Sequence, residues 1–173
     1  MKVREIVIIG LISALNIGSR LVLQPLPNIK PVTTIILLCG MILGMKISIG
    51  IAIVTTLVSG MLLGLGTFIP FQILAWVIVA FAGSIIGKLF EKPNVILMAL
   101  FSGFCGFMYG FFVSLDKLII AGLPGFLSYY VAGLPFDFLH AVGNVVFYFI
   151  FYPILTPILK KEKLKLNEIK KLT

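Results

Sequence analysis

The run Gly133-Leu134-Pro135-Phe136-Asp137-Phe138-Leu139-His140-Ala141-Val142-Gly143-Asn144 sets an acid, the chain's single histidine and an amide into a segment otherwise suited to hydrocarbon. An ionisable group central in a membrane span opposes insertion by roughly 2.5–3.5 kcal/mol, so it persists where it faces a cavity or a bundle interior. With Pro135 in a first helical turn, Asp137, His140 and Asn144 follow at i, i+3 and i+7, within about 60° on the helix circumference. Tyr148 falls on the same side. A membrane helix with one polar stripe calls for neighbours to cover that stripe, and the expected fold is an all-α transmembrane bundle.

Composition supports this reading. The chain is 60% hydrophobic and 12% charged, whereas soluble domains carry about a quarter charged residues. Its net charge of +8 comes from basic residues in short connections and at the two ends, with no basic face interleaved with aromatics, which argues against a nucleic-acid partner. Cys39 and Cys105 both lie in apolar runs and read as buried thiols rather than a disulfide. The apolar start after Lys2 and Arg4 has no small-residue cleavage site and reads as a retained span.

Apolar segments at about 5–23, 32–45, 47–65, 69–87, 95–115 and 134–159 give six helices in one domain over 1–173. The second is shorter than the roughly 20 residues a bilayer core requires. Placing both termini in the cytoplasm puts Lys2, Arg4, Lys46, Lys88, Lys92 and the six tail lysines inside, leaving Arg20, Lys30 and Lys117 outside; this satisfies the positive-inside rule. The tail over 160–173 reads as a solvated basic end that meets lipid headgroups. Small-residue pairs at Gly40/Gly44, Gly60/Gly64, Gly83/Gly87 and Gly106/Gly110 predict close helix packing. On the first helix Gly10, Ala14 and Gly18 form a small stripe opposite Asn16 and Arg20, fit either for a partner helix or for a helix of the same chain.

No phosphate loop, metal-ligand spacing or nucleophile elbow is present. An expectation of binding rather than catalysis follows. On the outer side this topology gathers three elements: Asn28 and Lys30 between prolines in the first loop, Gln72 and Trp76 one turn apart on the fourth helix, and Asp137, His140 and Asn144 on the sixth. The competing reading of Asp137 is a carboxylate at a helix start, favoured by the dipole, and that of Trp76 is an interfacial anchor.

With Pro27-Asn28-Ile29-Lys30-Pro31-Val32-Thr33, Phe71-Gln72-Ile73-Leu74-Ala75-Trp76 and Gly133 to Asn144 in a six-span chain of this size, the sequence resembles a substrate-binding S component of the energy-coupling factor (ECF) vitamin transporters. That resemblance implies a non-enzymatic subunit of the prokaryotic cell membrane that captures a vitamin outside the cell. It would hand the vitamin over by docking on a scaffold subunit driven by two ATPases, so it needs no cofactor of its own. Residue by residue, it implies vitamin contacts at Asn28, Lys30, Gln72, Trp76, Asp137, His140 and Asn144, and scaffold contacts at Gly10, Ala14 and Gly18. Gly10 and Gly18 depart from the alanines of the family's A-x-x-x-A motif. The loop and fourth-helix motifs look most like the cobalamin-type branch, with pantothenate and riboflavin as alternatives. An autonomous secondary transporter or channel and a small intramembrane enzyme are the other classes open to such a chain.

Overall fold

In the computed structural model, which describes residues 2–171, every regular element is an α-helix: α1 (Val3–Val22), α2 (Val32–Leu43), α3 (Met45–Leu63), α4 (Ile69–Leu89) and α5 (Val95–Lys171). All but α2 are long and apolar enough to cross a membrane. The helix count is thus five, not six. The runs expected as fifth and sixth helices belong to one element that turns back on itself at Gly122, where φ is 65° and ψ is −170°, a conformation open to glycine and strained for side chains.

The two limbs of α5 lie antiparallel in close contact. A Cβ placed on Gly103 would stand 2.8 Å from Val145, one on Gly106 would stand 2.8 Å from the amide nitrogen of Ala141, and one on Gly110 would overlap the Asp137 carboxylate. Pro135 therefore sits inside a helix, not at its start. The first-turn explanation of Asp137 falls with it, because no free helix N-terminus lies beside the carboxylate.

The shortness of α2 is explained by its place. Its 12 residues rise only about 18 Å, yet every residue from Val32 to Ile42 is buried. The other helices enclose it along its sides, so its length need not match the bilayer. Glycines make the enclosure tight: a Cβ on Gly40 would stand 2.7 Å from the Ala80 carbonyl, one on Gly83 2.6 Å from the Leu37 carbonyl, and one on Gly87 would overlap Met41. Two of the predicted packing glycines do something else. Gly44 (φ 92°) and Gly64 (φ 118°) end α2 and α3 in left-handed conformations with no neighbour where a side chain would project.

The two ends of the described chain meet. Arg4 Nε donates to Glu162 (3.0 Å), Lys2 Nζ donates to the Ile169 carbonyl (3.0 Å), and Lys46 pairs with Glu5 (2.9 Å). Lys88 and Lys92 lie at this same basic end. The 23–31 and 64–68 connections occupy the opposite end.

Candidate functional site

At that opposite end Thr33, in the first turn of α2, is a hub. The indole Nε1 of Trp76 donates to its hydroxyl (3.1 Å), and the same hydroxyl lies 3.1 Å from His140 Nε2. A hydroxyl that accepts from the indole still has a hydrogen to give, so we assign Nε2 as the acceptor and place the imidazole proton on Nδ1. His140 Nδ1 is buried and has no partner among the described residues.

Aromatic rings continue the cluster. The Arg20 guanidinium lies 5.1 Å from the centre of the Trp76 ring, the Tyr109 ring is centred 5.2 Å from that of Trp76, and His140 meets Tyr109 edge-on at 4.9 Å. Gln72 Nε2 donates to the Tyr109 hydroxyl. These contacts place Tyr109 between two cavities. One, of about 250 Å³, is bordered by Arg20, Asn28, Lys30, Trp76, Tyr109 and His140. The other, of about 440 Å³, is bordered by Asn28, Gln72, Tyr109, Ser114, Tyr129 and Asp137. Asn28, held at a left-handed φ of 55°, and Tyr109 border both and form the partition.

The two chambers differ in charge. The smaller holds both cations, Arg20 and Lys30, and the larger holds the acid, Asp137. Lys30, in the loop, donates to the Leu26 carbonyl (2.6 Å), and partial burial, with the Arg20 charge nearby, pulls its ammonium below the usual lysine range. Four buried polar atoms around the chambers have no hydrogen-bond partner among the described residues: Arg20 Nη1, Gln72 Oε1, Asp137 Oδ2 and His140 Nδ1. Buried polar atoms are almost always paired, so a cluster of orphans marks a place where a bound molecule supplies the partners.

Six of the seven expected binding residues, Asn28, Lys30, Gln72, Trp76, Asp137 and His140, border one chamber or the other. Asn144 does not. It lies a turn deeper, where Nδ2 donates to the Ser102 carbonyl (3.2 Å) and its own carbonyl accepts from Thr34 (3.1 Å), tying α2 to both limbs of α5. Trp76 is 3% exposed and is not an interfacial anchor. Tyr109 is the residue that sequence reasoning missed; its signal is a phenol set between Gly106 and Gly110, the positions where the two limbs touch. The stripe of Gly10, Ala14 and Gly18 faces away from the bundle: Gly10 and Ala14 are exposed, and nothing stands where a side chain on Gly10 or Gly18 would project. Among the described residues no cluster of His, Cys, Asp and Glu could hold a metal ion.

A family model described as a family of unknown function, DUF6580, matches residues 1–165. No curated protein and no solved structure matches the chain significantly.

Proposed function

The chain belongs to DUF6580, and we propose that it is a membrane substrate-binding subunit of the ECF S-component kind, capturing a small vitamin-like molecule at the end of the bundle away from its termini. The observation that carries this reading is the set of four unpartnered buried polar atoms, Arg20 Nη1, Gln72 Oε1, Asp137 Oδ2 and His140 Nδ1, around two adjoining cavities. Their orientation on the positive-inside rule makes that end extracellular. Delivery would follow docking of the outward-facing Gly10, Ala14 and Gly18 stripe on a scaffold subunit driven by two ATPases.

Chamber size and charge narrow the ligand. Cavities of about 250 and 440 Å³ suit a drug-sized molecule, and a corrinoid is far larger. Separation of Arg20 and Lys30 from Asp137 lets one molecule set a carboxylate or phosphate beside the cations and a hydrogen-bond donor beside the acid. A carboxylate-bearing vitamin such as pantothenate fits better than cobalamin on both counts. Trp76, the single tryptophan, borders the smaller chamber and reports its occupancy directly. Titrating the purified chain with pantothenate, riboflavin and cobalamin should change its tryptophan fluorescence saturably for the cognate molecule, and a combined Arg20→Gln, His140→Gln variant should lose the change. No saturable response to any vitamin, with turnover or uptake by the isolated chain instead, would overturn the proposal.

A further inference from the structure

Away from this site, at the basic end, a cavity of about 480 Å³ lies between the end of α2, the α4–α5 connection and the last turns of α5. Its floor is apolar, formed by Leu38, Met41, Ile42 and Tyr152, and its rim carries Lys92, Lys160 and Lys163 against a single acid, Glu91. None of these three lysines makes an ion pair among the described residues, whereas Arg4, Lys46, Lys117 and Lys165 all do. In the wall, the hydroxyl of Thr156 is buried without a partner. A second cavity of about 220 Å³ adjoins through Met41, Gly87, Lys163 and Asn167 and brings in Lys88.

We infer that this basin binds an anionic glycerophospholipid, with the phosphate among Lys92, Lys160 and Lys163 and the acyl chains along the apolar floor. The ligand chemistry is a phosphate monoanion. A lipid rather than a free phosphate is the source because charge and grease are stacked in the order that a leaflet presents them: apolar residues of α2 below, lysines above, and Phe90 and Leu164 exposed beside the opening at 56% and 63%. Basic pockets between helices at a membrane's headgroup level recruit anionic lipids in this manner, and the unpaired Thr156 hydroxyl offers a donor to the glycerol or phosphate oxygens.

The test is native mass spectrometry of the full chain released from nanodiscs of equal parts phosphatidylglycerol and phosphatidylcholine. Phosphatidylglycerol should remain bound in preference to phosphatidylcholine. The double variant Lys160→Gln/Lys163→Gln should lose that preference about tenfold or more, while Lys161→Gln/Lys165→Gln, an equal charge change on the same turns but outside the cavity, should keep it. Thermal unfolding of both variants verifies that they remain folded. Equal retention of the two lipids, or equal loss in both variants, would overturn the site. Displacement by inorganic phosphate at concentrations that match the lipid would overturn the lipid as its source. Unchanged lipid preference in Lys160→Gln/Lys163→Gln with loss of a co-purifying protein would reassign the basin to a protein partner.

Discussion

Thr33 shows how much one hydroxyl can hold at this site. Its oxygen is the shared partner of Trp76 Nε1 and His140 Nε2, and it lies in a helix buried on all sides. Thr33→Val keeps the shape and leaves both nitrogens without that partner. Interhelical hydrogen bonds in membranes contribute about 0.6–2 kcal/mol each, so the variant should unfold at a lower temperature in detergent, by the equivalent of about 1–2 kcal/mol, and Thr33→Ser should recover most of the loss. An unchanged melting temperature in Thr33→Val would remove the hub. Gly110 is the second such position. A Cβ there overlaps the Asp137 carboxylate, so Gly110→Ala must push Asp137 or the limb away. Ligand affinity should fall about tenfold or more on titration of Trp76 fluorescence, whereas Gly10→Ala, which meets nothing, should bind as the parent chain does.

At the scale of elements, Gly122 lets 77 residues of helix fold back as two packed limbs. Its φ of 65° with ψ near 180° is strained for any side chain. Gly122→Ala should cost about 1–3 kcal/mol of stability, read as a lower melting temperature, and an equal substitution at exposed Gly10 should shift it little. The limbs themselves were legible in the apolar runs and in the Gly106/Gly110 pair, because hydrophobic length and small-residue spacing are local properties. The turn was less so. The stretch near Ala121 to Gly125 reads as a Gly/Pro-rich break between two helices, yet Phe111 meets Phe126 and Tyr130 edge-on (5.8 and 5.7 Å) and the limbs are helical on both sides of Gly122. The same limit applies to Asn144, whose spacing matched Asp137 and His140 but whose depth along the helix, set by Ser102 and Thr34 on other elements, took it out of the chambers. Spacing fixes a face; only packing fixes depth. Tyr109 escaped notice for that reason, since its neighbours Gln72, Trp76 and His140 are remote in sequence.

Across the whole molecule, charge is sorted by end, and that sorting is open to two measurements. Where the ends of the described chain meet, hydrogen bonds from Arg4 first and from Lys165 next hold the Glu162 carboxyl below its ordinary value of 4.5. A carboxylate depressed on folding adds stability in full above its ordinary pKa and loses it as pH falls through the depressed value. The difference in melting temperature between the parent chain and Glu162→Gln should therefore be constant at neutral pH and vanish in acid; because Arg4 and Glu162 are only half-buried, it should also shrink with salt. The second measurement concerns which end faces out. Both native thiols, Cys39 and Cys105, are buried at 0% and 1% exposure, so an impermeant maleimide should find little background on the folded protein. Leu26 and Glu91 are exposed in connections at opposite ends of the bundle. With the basic end held in the cytoplasm, Leu26→Cys should label on intact cells and Glu91→Cys only after the membrane is opened. The reverse pattern would turn the molecule over, place the two chambers on the cytoplasmic side, and end the reading of the site as one that captures ligand from outside.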